Sequence, residues 1–128
     1  MSSSEPERRF TFPATHRLRR QREFDAVYRR GVGKTAGPLR IIGLPNAMDH
    51  CRLGMSVSKR IGGAVVRNRL KRMLREAYRL SRHELPGGYD LVIVPRPHPP
   101  LGLEDYQRML LEAVGKLHRH WTKIQAEP

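Results

Sequence analysis

Hydrophobic residues recur along this chain at two spacings, and the switches between them predict the order of its elements. In "LRRQREFDAVYRRG", Leu18, Phe24, Val27 and Tyr28 fall at helical intervals, and Gly31 stands where such a helix would end. "GVGKTAG" lacks that pattern and reads as a flexible loop, after which "PLRIIGL" has the branched, apolar composition of a strand. The turn "NAMDH" leads to "CRLGMSVS". There Leu53, Met55 and Val57 alternate with Arg52, Gly54, Ser56 and Ser58, as in a strand buried on one face. "KRIGG" joins that strand to a helix over "AVVRNRLKRMLREAYR", whose Val66, Leu70, Met73, Leu74 and Ala77 make one apolar stripe. "LPGGYD" is a second turn. "LVIVP" is apolar on both faces, the pattern of a central strand covered on both sides. Helical spacing returns from Leu103 to Thr122, with Tyr106, Leu110, Ala113, Val114, Leu117 and Trp121 inward. Glu104 and Asp105 favour the positive end of that last helix. The predicted order is helix, strand, strand, with room for one further short strand, then helix, strand, helix: an α/β sandwich.

Charge changes this picture from a generic fold to a directed one. The 128 residues carry 25 Lys and Arg against 12 Asp and Glu, a formal net charge of +13. All of the excess lies in the first 80 residues, since the remainder is balanced. A field concentrated in that way attracts a polyanion, nucleic acid before a membrane surface. The middle helix shows it most sharply: Arg67, Arg69, Lys71, Arg72, Arg75 and Arg79 face a single acid, Glu76. Like charges four apart, such as Arg67 and Lys71, repel by a few tenths of a kcal/mol per pair. An ordinary solvated face would interleave the two signs, so the surplus points to phosphates, which Arg grips through two parallel hydrogen bonds. Asn68 lies among these bases, either as an N-terminal turn residue bonding to backbone or as a fixed donor and acceptor beside them. Gly62 and Gly63 let backbone approach closely at the helix start, an anion site in its own right, with Lys59 and Arg60 flanking it.

These letters in this arrangement carry a resemblance. "SVSKRIGGAVVRNRLKRMLREAYR" resembles the central block of the protein subunit of bacterial ribonuclease P, with its Arg-Asn-Arg-x-Lys-Arg helix after a strand ending Ser-x-Ser-Lys. "LRRQREFDAVYRRG" is similar to that family's N-terminal segment, and the likeness runs from about Leu18 to Thr122. The resemblance implies an α/β sandwich similar to the second domain of ribosomal protein S5, with a left-handed βαβ crossover. One domain is expected over 16–122, with a C-terminal tail at 123–128 and an N-terminal tail at 1–15 that is Ser, Glu, Pro and Arg rich without periodicity and so expected to be mobile. Catalysis would belong to an RNA subunit and magnesium ions held mainly by that RNA and its substrate. The protein would bind the catalytic RNA and the single-stranded 5′ leader of precursor tRNA, and would be inactive alone. Carried over by position, Lys59, Arg60, Arg67, Asn68, Arg69, Lys71, Arg72 and Arg75 form the phosphate-facing set. Phe24 and Tyr28 match aromatic positions of the leader cleft, although core packing is the plainer reading of aromatics four apart. Relatives often have another aromatic where Ile42 stands, so a more aliphatic cleft is expected.

Other chemistry finds little support in these residues. "GVGKT" ends like a phosphate-binding loop, but Tyr28 occupies the position where that motif requires Gly, and a helix precedes it instead of a strand. His118 and His120, two apart on a helix, point in different directions, and no carboxylate pair lies in the basic region. No run approaches the roughly 20 apolar residues of a membrane span, and no secretory signal is expected at the N-terminus. Cys51 as sole cysteine fits a reducing, cytoplasmic setting and a buried strand position. Three rivals stay in view: a ribosomal or general RNA-binding protein without a role in tRNA 5′ processing, a DNA-binding protein, and a protein-only nuclease. The DNA reading is disfavoured because the basic helix has a buried stripe and no zipper follows it.

Overall fold

A computed structural model describes residues 14–126. The expected N-terminal tail lies, for residues 1–13, outside the described residues; Ala14–His16 form a short 3-10 turn. The elements are α1 (Gln21–Arg30), β1 (Val32–Ala36), β2 (Leu39–Pro45), β3 (Arg52–Met55), α2 (Ala64–Ser81), β4 (Tyr89–Pro95) and α3 (Leu103–Ala126). The sheet order is β1-β2-β4-β3, with β1–β2 and β2–β4 antiparallel and β3–β4 parallel. A parallel pair needs a long crossover. Here α2 supplies it.

Alternation along the strands divides the core in two. Leu39, Ile41, Leu53, Leu91 and Ile93 face α2 and α3, where they meet Leu70, Leu74, Ala77, Tyr78, Tyr106, Leu110, Ala113, Val114 and Leu117. A smaller cluster on the opposite face joins Ile42 and Val92 to Leu18 and Val27, with Phe24, Leu44 and Val94 half-buried at its margin. The main sandwich is therefore sheet on α2 and α3, and α1 covers part of the other face. Trp121 Nε1 ties α3 to the sheet by donating to Gly43 O at 3.1 Å.

Four expectations need correction. "GVGKTAG" is not a loop: Val32–Ala36 pairs with β2 in register from Val32↔Gly43 to Ala36↔Leu39. Gly37, at φ +56°, closes the hairpin in a conformation that L side chains rarely adopt. Val66 is not in the buried stripe but half exposed, because the buried face of α2 begins only at Leu70, past its first turn; Tyr78 and Ser81 extend the stripe at the other end. The face of β3 assigned to solvent is covered instead, since Gly54 is buried and Arg52 largely so beneath α1. The last helix runs to Ala126 and buries Met109, which had no place in the expected stripe.

Gly31 ends α1 for a steric reason. Its φ is an ordinary −82°, but a Cβ there would lie 2.5 Å from Val27 O and 2.9 Å from the Ile42 side chain. Its N–H donates to Val27 O at 2.8 Å.

Candidate nucleic-acid interface

The basic helix is exposed over most of its charged arc. Lys59 and Arg60 lie in a 3-10 turn, Lys59–Ile61, directly before α2, and both are exposed. Asn68, Arg69 and Arg72 are exposed, while Arg67, Lys71 and Arg75, four residues apart, are partly buried. Arg67 Nε donates to Gly62 O at 3.1 Å, folding its guanidinium back over the loop that starts the helix. Gly62 has φ +151°, and Gly63 is the N-terminal cap with no side-chain bond, so the first-turn N–H groups of α2 are uncapped by side chains. Among the described residues Lys59, Arg60, Arg69, Lys71, Arg72 and Arg75 have no carboxylate partner. The Asn68 side chain likewise makes no hydrogen bond among the described residues, so its amide is not spent on the backbone. Glu76 is bound by Arg79, which holds its carboxyl below the ordinary range. A shallow groove beside that pair is lined by Arg69, Arg72, Met73, Arg75, Glu76 and Arg79.

The second candidate surface lies across the sheet. Phe24 packs against β3 so closely that a Cβ on Gly54 would lie 2.6 Å from its ring. Ile42 is buried and contributes to the floor, whereas Tyr28, one turn along α1, is 43% exposed. The strand register sets Arg40 opposite Val94 in the next row of this face, beyond Ile42 and Val92. Arg40 is exposed, and its guanidinium lies over Gly33, where a Cβ would come within 2.5 Å of it. Sequence reasoning passed over Arg40 and Val94; the signal available was their even spacing from Ile42 and Val92 along strands already recognised.

A charged strut holds α1 in place, and it too was missed. Arg52 donates to Asp90 through Nε at 2.8 Å and Nη2 at 2.6 Å, and to Glu23 on α1 through Nη1 at 2.8 Å. Glu23 in turn accepts from the backbone N–H groups of Arg19 and Arg20, both at 2.9 Å. Those two bonds first, and Arg52 after them, hold the Glu23 carboxyl below the usual carboxylate range. Asn46 Nδ2 adds a bond to Asp90 Oδ1 at 2.9 Å. Cys51 is buried, its thiol pushed up by burial and donating to Pro86 O at 3.1 Å. His118 is exposed but bonded through Nδ1 to the Tyr89 hydroxyl.

Among the described residues no three His, Cys, Asp or Glu side chains converge as metal ligands, and no helix is long and apolar enough to cross a membrane. An α/β sandwich with a helix rich in arginine on one layer and an aromatic-edged cleft on the other has the features of a nucleic-acid-binding protein.

Comparison with known proteins narrows that class. The family model described as Ribonuclease P matches residues 12–123, and this chain belongs to that family, as the protein subunit of an endoribonuclease whose catalysis is carried out by its RNA. The ribonuclease P protein component of Desulfovibrio desulfuricans is 43% identical over 114 residues, 88% of each chain. That of Brevibacillus brevis is 39% identical over 110 residues, 85% of this chain and 82% of that one. The solved ribonuclease P protein of Thermotoga maritima superimposes with a TM-score of 0.70 at 30% identity, covering 80% of this chain and 96% of that one. The Staphylococcus aureus protein does so at 0.69 and 28%, covering 81% and 95%.

Proposed function

We propose that Lys59, Arg60, Arg67, Asn68, Arg69, Lys71, Arg72 and Arg75 bind RNA phosphates, chiefly those of the catalytic RNA, and that the cleft edged by Phe24 and Tyr28 over Ile42 retains the 5′ leader of precursor tRNA. The observation that carries this reading is the set of cations on and before α2 that lack carboxylate partners among the described residues. Bringing phosphates against them removes the repulsion between neighbouring bases and releases counterions from the RNA. On the other layer, an unpaired leader can stack its bases on Phe24 and Tyr28 without regard to sequence, and it is the leader that distinguishes precursor from product. Positioning is then the chain's whole contribution: cations offset repulsion between two RNAs, and the cleft holds the leader so that the scissile bond lies at the RNA active centre. Magnesium ions belong to the phosphates of the two RNAs; the protein acts on them only through its field. A cytoplasmic setting accords with the single buried cysteine.

The test is cleavage of a precursor tRNA at low magnesium by a bacterial catalytic RNA, with and without this protein. Stimulation with RNA present and no cleavage by protein alone are expected. Equal cleavage with and without protein would refute the reading, and tight binding to ribosomal RNA without stimulation would favour a general RNA-binding role.

A further inference from the structure

Beside the basic groove of α2 is an apolar notch of about 250 Å³, lined by Ile61, Val66, Leu70, Pro100, Leu101 and the ring of Tyr106, with Arg69, Met73 and His98 completing it. Arg69 and Met73 also line the basic groove, so those two side chains form a wall common to both recesses. Val66, one of its walls, is 51% exposed, and its neighbour Val65 is 82% exposed. Apolar surface of that kind, set within the most cationic segment of the chain, gains from being covered.

We propose that this notch receives one unstacked nucleobase of the catalytic RNA, from a nucleotide next to one whose phosphate engages Arg69. The proposal rests on the reading that α2 binds that RNA, and adds to it a base-binding site distinct from the leader cleft. Charge and the shared wall choose the occupant: a chain drawn to Arg69 by its phosphates carries, within one nucleotide, a flat apolar face that a protein or lipid partner would not bring to a cationic rim. The walls also fix how the base is recognised. His98 Nδ1 donates to Arg96 O at 2.6 Å, and its Nε2 accepts from the Tyr106 hydroxyl at 2.7 Å. Both ring nitrogens are thereby occupied, so the His98 imidazole has no donor or acceptor left for a base edge. The apolar walls hold the base by its faces, and that contact is insensitive to salt.

The experiment uses the full chain assembled with a bacterial catalytic RNA. Val66→Trp fills the notch from an exposed position, Val66→Ala widens it, and Arg69→Ala is the electrostatic control. Val66→Trp is expected to weaken RNA affinity by about 5- to 150-fold, the range for one lost base stack, with an unchanged slope of log K against log salt. Arg69→Ala is expected to lower that slope by about 1. A photoreactive aryl azide on Val66→Cys should crosslink to a single unpaired nucleotide, and that nucleotide should become accessible to base-modifying reagents in Val66→Trp complexes. Unchanged affinity of Val66→Trp with a lowered slope for Arg69→Ala would overturn the notch while leaving the RNA-binding helix intact. Unchanged behaviour of both would overturn the helix reading as well. Crosslinking to a second protein chain instead of RNA would overturn the choice of occupant.

Discussion

Removing the Arg52 guanidinium isolates the strut that fixes α1 to the sheet. Arg52 makes three charge-assisted hydrogen bonds of 2.6 to 2.8 Å to Asp90 and Glu23, with side chains 19%, 9% and 22% exposed respectively. Breaking a fully buried ion pair from one side costs about 3–5 kcal/mol, because the remaining charge is stranded. Arg52 and Glu23 keep some contact with water, and Asn46 still donates to Asp90, so Arg52→Ala is expected to cost about 2–4 kcal/mol. The measurement is urea unfolding at fixed sulfate, comparing midpoints at constant m, for Arg52→Ala, Asp90→Asn and the double variant. A coupling energy of about 2 kcal/mol is expected for Arg52 with Asp90 and under 1 for Arg52 with Glu23, whose pairing is more exposed. Additive effects within about 0.3–0.5 kcal/mol for Arg52 with Asp90 would refute the strut. In the assembled enzyme, the same substitution should impair precursor binding while catalytic RNA binding is retained, because α2 packs on the other layer.

Gly54→Ala puts a methyl 2.6 Å from the Phe24 ring and 3.2 Å from Leu18, so the ring must move; precursor affinity should drop on the order of tenfold while mature tRNA affinity holds, as titration of both ligands would show. Phe24→Ala should produce the same selective loss, and equal losses on precursor and product would count against the cleft. Glu23 has a depressed carboxyl, so its contribution to stability is present above the unfolded value of about 4.3 and is lost as pH falls through the lower folded value. Glu23→Gln should therefore flatten the acid limb of the stability profile, and an unaltered limb would show that other carboxylates set it. Cys51, buried with a raised thiol, should react with maleimide only at the rate of unfolding, and fast labelling of the native chain would contradict its placement.

The helices were readable because their periods are long and regular: the α2 stripe through Leu70, Leu74 and Ala77 and the α3 stripe through Leu117 stand where the spacing puts them. β1 was not, since "VGKTA" is an edge strand whose partner is β2 alone and whose pairing is made by backbone, with Gly37 turning the hairpin. Period alone also assigned Val66 to the core; what it lacks is where along the helix the buried face begins. Arg52 and Gly54 were correctly set on the face opposite Leu53, but whether that face meets water depends on α1, which is some thirty residues earlier in the chain. The surplus of bases on α2 needed no tertiary information, because it is read from residue order; the assignment of particular bases to phosphates came from the family resemblance. The strut was invisible for the converse reason: Glu23, Arg52 and Asp90 are brought together only by the fold.

Both β2 and β3 take their sheet partner on the inner side from β4, the last strand in the chain. During synthesis from the N-terminus, a polypeptide extended as far as Arg79 already bears the whole cationic helix, yet has neither the strand nor the terminal helix that would close the core over its apolar stripe. The segment proposed to bind RNA is thus finished before its scaffold, and a nascent chain carries that charge into solution while β4 and α3 are still being made.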